Sequence, residues 1–357
     1  MVVPGFGTPA GQGVAIGSND DTNPANTGII HAGDRMLALW EAGSPFAIDP
    51  QTLETRGPET LRSDLAHMPF LAHPRVEPDG RIWNLGMSGK SAFVWQLSEL
   101  GKMENGTLVR LPRASYVHDF TATARHLVIV LQPWIQNGFA LPFVDSLSWR
   151  PEQGTLVLVI DKADLTKQLM YELPAFAFFH LGDAWEETDG TIRFDGCFEA
   201  SPVFGAQSAR ALISGKHIIA PQPVLNMVAL HPGGRATLTA SPIDAEFPRS
   251  DPRVAGSKRS KTVHVGNYDR NRPFARAVGV WDWATGKDDN FDFGARQLVE
   301  EFIPVGNFLV GTTVNLNAQA TELHVFDAGR VAAGPVTSWR ADVALPVGFH
   351  GNFVGRS

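Results

Sequence analysis

The chain has 357 residues, 43% of them hydrophobic, and a formal net charge of −7 at pH 7. This length and apolar content allow a large buried core, while the acidic balance without a basic tail argues against a nucleic-acid partner. The single cysteine, Cys197, excludes an intramolecular disulfide and is consistent with a reducing compartment, and no run of 18 apolar residues predicts a membrane span.

The N-terminal segment, residues 1–25, is rich in Gly, Pro, Asn and Asp and predicts coil. Its opening letters, MVVPGFGTPAGQG, show no basic region followed by an apolar run, so we expect no signal peptide. A cytoplasmic location is therefore the expectation, with peripheral membrane contact as the open alternative.

Short β-rich runs follow along the rest of the chain, most of them bounded by turn signals such as PDG, TDG, HPGG and DAG. They are RMLALWE (35–41), HLVIVLQPW (126–134), GTLVLVIDK (154–162), ARALISGKHIIAPQ (209–222), NFLVGTTVNL (307–316) and ELHVFDA (322–328). Their number predicts an all-β fold, which periodicity leaves open between a sandwich, a barrel and a propeller. No composition break marks a linker, so we expect one domain over 1–357.

Four of the eleven histidines share a local pattern: each follows a short apolar or aromatic run and precedes Pro, Asp or Gly closely. They are His73 in LAHPRV, His118 in YVHDF, His180 in FFHLGDAW and His350 in GFHGNF. This pattern predicts four strand ends, which a toroidal β-fold can bring to one axis. Neutral imidazole is a ligand for Fe, Zn, Cu and Ni. The alternative is that each histidine is an ordinary hydrogen-bonded structural residue.

Six stretches, taken in order, resemble the carotenoid cleavage oxygenase family, which includes apocarotenoid and lignostilbene dioxygenases and a retinoid isomerase. They are NTGIIHAGDRMLALWEAGSPFAIDPQTLETRG (26–57), LAHPRVEPDGRIWNLG (71–86), VHDFTAT (117–123), FHLGDAWEE (179–187), EFPRSDPRVAGSKR (246–259) and FHGNFV (349–354). Each is short, but their combination and order are specific and span almost the whole chain.

The resemblance implies a seven-bladed β-propeller with a dome of loops over an axial Fe(II) site. The implied iron ligands are His73, His118, His180 and His350. Carboxylates that accept hydrogen bonds from ligating imidazoles are implied at Glu41, Glu246 and Glu301, with Glu300 as the alternative to the last. A carboxylate in this role fixes the tautomer and aims the other ring nitrogen at the metal. For Glu246 the competing interpretation is an ion pair with Arg249 or Arg253.

Two departures from the family pattern affect the site and the fold. Asp183 stands where the family usually has Asn after the third ligand, which adds a charge near the site or reverses a local hydrogen bond. The family's long N-terminal region has no counterpart here, so the resemblance implies an N-terminally truncated propeller over 1–357.

The activity that the resemblance implies is O2-dependent cleavage of a conjugated C=C bond into two carbonyl products, with no organic cofactor. Trp40 offers an apolar wall where lignostilbene-cleaving relatives usually have Lys, which favours an apocarotenoid-like polyene over a stilbenoid substrate. Further candidates for the substrate tunnel, or for membrane contact, are Trp134, Phe139 and Phe143. The alternatives are a stilbenoid dioxygenase and an inactive truncated propeller.

Overall fold

The computed structural model describes residues 17–138, 140, 143–202, 205–207, 210–211, 214–216, 221–266 and 274–353. The chain divides into two compact units. The first unit is Met1–Phe120, Arg125–Ala177 and Val354–Ser357, and the second is Thr121–Ala124 and Phe178–Phe353. The expectation of a single domain stays a prediction.

Almost all regular structure in the described residues is β. The strands are β1 Gly28–Ala32, β2 Arg35–Leu39, β3 Phe46–Ile48, β4 Thr55–Pro58, β5 Arg75–Val76, β6 Ile82–Ser88, β7 Ser91–Leu97, β8 Met103–Arg110, β9 Thr121–Ala122, β10 His126–Leu131, β11 Trp134–Gln136, β12 Leu147–Trp149, β13 Thr155–Asp161, β14 Gln168–Leu173, β15 Ala177–Glu186, β16 Ile192–Glu199, β17 Val224–Leu230, β18 Ala236–Arg249, β19 Lys261–Gly266, β20 Ala277–Asp282, β21 Lys287–Asp292, β22 Gln297–Val305, β23 Phe308–Asn315, β24 Ala320–Asp327 and β25 Thr337–Arg340. Short 3₁₀ helices span Asn19–Thr22, Ser63–Leu65, Phe143–Ser146, Pro151–Gln153, Pro252–Val254 and Val331–Ala333.

The first unit is built from antiparallel meanders, in which consecutive strands pair through short turns. Strands β1 to β4 form one four-stranded sheet and β5 to β8 another, while β10, β13 and β14 lie side by side in a third. Strand β10 is apolar at almost every position because both of its faces are covered, with Leu127 to Leu131 wholly buried. Phe70 and Trp95 pack together in the core beside β1 and β2.

The second unit contains a seven-stranded sheet in the order β15 to β21 and a four-stranded sheet of β22 to β25. Strand β18 is 14 residues long, and its two halves have different partners. The half before Ala245 pairs with β17, and the half from Ala245 onwards pairs with β19. Within the pairing with β19, the register shifts between Glu246 and Arg249, an irregularity of the β-bulge type.

The described residues therefore do not form the seven separate blades that were expected. They form four four-stranded sheets of the kind that make propeller blades, one seven-stranded sheet and one two-stranded sheet. The physical reason is β18, since one continuous strand joins what would otherwise be two neighbouring four-stranded sheets.

The predicted coil over 1–25 is described only from residue 17 onwards, and there it includes the 3₁₀ helix Asn19–Thr22. The Asp21 carboxylate accepts from the backbone N–H of Gly17 and Ser18, and Asp20 accepts from Ser44. These short polar side chains fold the segment locally, as Asp does at turns. Within the described part of the chain, no helix is long and apolar enough to cross a membrane.

Candidate metal centre

The first unit brings His73 and His118 together. Each lies in an irregular segment between strands, and their Nε2 atoms are 3.0 Å apart. Arg75 fixes the two segments to each other, because its guanidinium donates to the Asp119 carboxylate at 2.7 Å and to the Phe120 carbonyl at 2.6 Å. Arg75 and Asp119 stand beside the two histidines in sequence, so the local chain that carries each imidazole is held by a charged contact.

Glu41, predicted from the LALWE stretch, lies against the other side of the His118 ring. Its Oε2 is 3.1 Å from His118 Nδ1. A residue that the sequence did not single out, Tyr116, shares this contact: its hydroxyl lies 2.9 Å from Glu41 Oε2 and 3.0 Å from His118 Nδ1. The signal available was only the position of Tyr116, two residues before His118, which places both side chains on one side of an extended chain.

The second unit brings His180 and His350 together. His180 lies on β15, and His350 lies in the segment that follows β25. Their Nε2 atoms are 3.2 Å apart. The centroid of the Phe247 ring lies 4.8 Å from that of the His180 imidazole and 5.4 Å from that of the His350 imidazole, so one apolar ring packs against both. Phe247 has a φ of 52°, a conformation that costs a side-chain-bearing residue of order 1–3 kcal/mol and that marks functional sites.

Each histidine of this second pair is held by its own glutamate. Nδ1 of His180 is 2.7 Å from Glu246 Oε2, and Nδ1 of His350 is 3.0 Å from Glu301 Oε1. Glu246 also accepts from the backbone N–H of Phe247 at 2.9 Å. Both carboxylates are buried, so the hydrogen bonds that they accept lie away from water, where they are strongest.

Burial and neighbouring charges act in opposite directions on the Glu301 carboxyl. Burial raises its pKa, but the positive charge of Arg249, the contact with His350 and the backbone N–H of Gly351 outweigh burial and lower the pKa to about 2. Burial lowers the pKa of His350, against the opposing effect of Glu301. Glu301 is therefore an anion and His350 a neutral imidazole near neutral pH.

The neighbouring carboxylate, Glu300, has a different contact. Its Oε1 accepts from the backbone N–H of Gly348 at 2.7 Å, so it ties down the segment before His350 and not the imidazole. Arg249, considered as a partner for Glu246, instead approaches Glu301 at 3.2 Å. The other candidate, Arg253, pairs with Asp251.

The proton positions around His180 and His350 suit a metal ion. Because a carboxylate oxygen accepts hydrogen bonds, we assign a ring proton to the Nδ1 atom of each imidazole, where it faces its glutamate. With the protons on Nδ1, both Nε2 atoms carry lone pairs and lie 3.2 Å apart. Two lone pairs this close repel, and a cation bound by both nitrogens relieves the repulsion; imidazole nitrogen binds Fe, Zn, Cu and Ni. The donor set of this pair therefore fits a metal.

Asp183 lies on β15, three residues after His180, and is buried. Its Oδ2 accepts from the backbone N–H of Gly256 at 2.9 Å, and its backbone carbonyl accepts from Arg259 at 3.1 Å. An Asn side chain at this position could accept the same Gly256 hydrogen bond through its amide oxygen. The substitution thus preserves an anchor between β15 and the loop after β18.

The four aromatic candidates for the substrate tunnel have different surroundings. Trp40 is half-buried and forms an isolated β-bridge with Phe70. Trp134 is buried and packs edge-on against Tyr116, and Phe143 begins a 3₁₀ helix with its ring 6.2 Å from that of Tyr116. Phe139 lies outside the described residues.

Each unit brings two imidazoles together, and three of the four imidazoles lie against a glutamate carboxylate, a donor set that fits a metal ion. The sequence shows the family: the protein-family model described as RPE65, retinal pigment epithelial membrane protein, matches residues 1–355 of the chain. The chain belongs to this family, that of the carotenoid cleavage oxygenases, and is an oxygenase.

Among its relatives is isoeugenol monooxygenase of Pseudomonas putida, 26% identical in an alignment 360 residues long that covers 93% of this chain and 75% of that protein. Apocarotenoid-15,15'-oxygenase of Synechocystis is 29% identical in an alignment 198 residues long that covers 50% of this chain and 40% of that protein. The solved structure of cobalt-substituted Synechocystis ACO matches with a TM-score of 0.81 at 20% identity, over 94% of this chain and 75% of that one. This structural likeness shows the all-β, propeller-like fold.

Proposed function

We propose that the protein is an Fe(II)-dependent dioxygenase that cleaves a conjugated C=C bond of an apocarotenoid-like polyene with O2, giving two carbonyl products. The proposed iron ligands are His73, His118, His180 and His350. The observation that carries this proposal is the second-unit pair: His180 and His350 each have Nδ1 on a buried glutamate and Nε2 directed at the other ring. The metal in the related Synechocystis structure is described as cobalt, a divalent ion of similar ligand preference.

Bound Fe(II) would supply the activation of O2 next to the alkene. The residues of this chain have three tasks around it. The imidazoles supply neutral nitrogen ligands, which suit iron. Glu41, Glu246 and Glu301 keep the ring protons on Nδ1 and bring negative charge to a neutral ligand set.

The third task is to exclude water and position an apolar substrate. The Phe247 ring packs against His180 and His350 from a residue whose backbone is in the left-handed region. An apolar cover lowers the local dielectric and strengthens the carboxylate–imidazole contacts beneath it. Trp40, beside Glu41, supports a polyene as the substrate, because an indole ring contributes apolar contact and no mobile cation.

A phenylpropanoid, including a stilbenoid, is the second candidate substrate. The observation in its favour is the extent of the match: the relative named for isoeugenol aligns over 93% of the chain, and the relative named for apocarotenoids over 50%. Against it stands Trp40, where a Lys could pair with a phenolate oxygen.

The test is a product assay on the anaerobically purified, iron-loaded chain, with an apocarotenal panel and isoeugenol, each followed for aldehyde formation and O2 uptake. We expect the wild-type chain to form aldehyde from an apocarotenal and His180→Ala to form none. The control variant His31→Ala, which changes an exposed histidine, should keep the activity. Aldehyde from isoeugenol alone supports the second candidate. A folded, iron-loaded protein that consumes no O2 with any of them contradicts the proposal.

A further inference from the structure

A tyrosine hydroxyl is inserted between a glutamate and a histidine in the first unit. Tyr116 Oη lies 2.9 Å from Glu41 Oε2, 3.1 Å from Glu41 Oε1 and 3.0 Å from His118 Nδ1. Glu41 Oε2 is itself 3.1 Å from that same Nδ1. The three polar groups therefore form a closed triangle on the side of the imidazole that faces away from His73.

The proton count of the triangle gives each group a role. Tyr116 is buried, and its phenol hydroxyl has one proton to donate. That proton goes to the carboxylate of Glu41, whose oxygens accept. The Tyr116 oxygen is then an acceptor for His118 Nδ1–H, so both neighbours favour the tautomer with Nε2 free.

The glutamates of the second unit are held in a different way. Glu246 accepts from the backbone N–H of Phe247, and Glu301 accepts from the backbone N–H of Gly351 and pairs with Arg249. Glu41 has its contacts with two side chains, Tyr116 and His118. The Tyr116 hydroxyl thus holds the Glu41 carboxylate, whereas backbone N–H groups hold Glu246 and Glu301 and the Arg249 guanidinium also holds Glu301.

Tyr116 is held in position from its backbone and from its ring. Its backbone N–H donates to the Trp134 carbonyl at 2.8 Å, and its carbonyl accepts from the Gln132 side chain at 3.2 Å. The indole of Trp134 packs edge-on against the phenol ring at 5.2 Å. These backbone hydrogen bonds and the packing of the ring leave the Tyr116 hydroxyl little freedom to move. A residue that orients another side chain has to be held in this way.

We propose that Tyr116 is a positioning residue that acts with Glu41, as one hydrogen-bonded unit, to set the tautomer and orientation of His118. This inference rests on the proposed function, in which His118 is a metal ligand. If the two residues act as one unit, Tyr116→Phe weakens metal binding about tenfold, the lower end of the effect of such supporting contacts. It also changes the ligand field that His118 contributes.

The test is a titration of the metal-free chain with cobalt(II) chloride, read by the affinity and by the visible d–d absorption of the bound ion. The variants are Tyr116→Phe, Glu41→Gln and the double variant, with Tyr171→Phe as control. Tyr171 is a buried tyrosine on β14 of the same unit, away from the histidines in sequence. Circular dichroism and thermal melting check that each variant folds.

The expected result is a weaker affinity and a shifted d–d spectrum in Tyr116→Phe, unchanged values in Tyr171→Phe, and a double variant no weaker than Glu41→Gln alone. Non-additivity of this kind is the sign that two residues act as one unit. Wild-type affinity and spectrum in a folded Tyr116→Phe would overturn the inference, as would losses that add fully. A wild-type chain that binds no cobalt would instead overturn the proposed function.

Discussion

His180 and His350 direct their Nε2 atoms at each other across 3.2 Å while their Nδ1 atoms are held by two different buried glutamates. This arrangement is costly for two neutral imidazoles alone and favourable around a divalent cation. Its consequences can be tested residue by residue.

Replacing Glu301 with Gln should weaken metal binding by about 10- to 100-fold, the usual cost of losing a carboxylate that supports a ligating histidine. The amide removes the negative charge that Arg249 and His350 stabilise, and it no longer requires the proton on His350 Nδ1. Metal titration measures the loss. The matched control is Glu300→Gln, one residue away, whose carboxylate contacts the Gly348 backbone. Equal losses in both variants would contradict the assignment of Glu301.

Asp183→Asn should leave metal affinity within about threefold of wild type, because a good hydrogen bond to the Gly256 backbone N–H remains available. Asp183→Ala removes that acceptor and should lower the unfolding midpoint. The comparison uses the same metal titration together with chemical denaturation. A large loss of metal in Asp183→Asn would show that the charge, and not the hydrogen bond, is what the site requires.

Arg259→Ala should destabilise the chain by about 3–5 kcal/mol, because it leaves the carboxylate of Asp195 buried without its cation. Arg259 also lies over the Trp185 ring at 5.3 Å, so its loss removes packing as well. Urea denaturation measures the change. The control is Arg253→Ala, which breaks the exposed pair with Asp251 and should leave the midpoint unchanged. Similar shifts in both variants would refute the burial argument.

The stability of the second unit should decrease on acidification through the titration of His324. Burial lowers the pKa of His324 below its usual 6.5. The unfolded chain therefore takes up this proton at a higher pH than the folded chain does. The stabilising contribution is complete above the unfolded pKa and is lost progressively as the pH falls from that value through the lower pKa of the folded chain, at a slope of at most about 1.4 kcal/mol per pH unit.

The measurement is the urea midpoint at pH 7.5 and 5.5 for wild type and His324→Gln. The Gln side chain can bond to Thr313 and Ser338 as the imidazole does but does not titrate. We expect the decrease between the two pH values to be smaller in the variant. An identical decrease in both proteins would exclude His324 as a source.

Trp40→Lys should change substrate preference away from an apolar polyene and towards a phenolic compound. A Lys ammonium beside Glu41 would favour a phenolate oxygen and disfavour an apolar chain. We expect kcat/KM for an apocarotenal to decrease, and that for isoeugenol to increase, by about tenfold each. Trp40→Phe, which stays apolar, is the control. Unchanged ratios in Trp40→Lys would show that this residue does not contact the substrate.

Much of the second-unit site could be anticipated from the sequence by resemblance. The motifs around His180, Glu246 and His350 identify residues that the fold places in contact. The choice between Glu300 and Glu301 could not be made, because the register of β22 shifts between Val299 and Phe302. Such a shift breaks the two-residue alternation by which the inward side of a strand is normally recognised.

The contact of Tyr116 with Glu41 was beyond sequence reasoning, because 75 residues separate the pair and no local pattern marks it. The number of sheets was missed for a related reason. A 14-residue β18 that changes partners halfway has the same alternation as two separate strands. Long-range pairing decides both features, and a single sequence reports mainly local preference.

The most direct test of the account is the iron content of the chain after anaerobic purification without a chelating tag, measured by elemental analysis beside circular dichroism. The account predicts about one iron per folded chain, lost in His180→Ala and kept in His31→Ala. A folded, β-rich chain that contains no iron, and takes up none when Fe(II) is added, would contradict it.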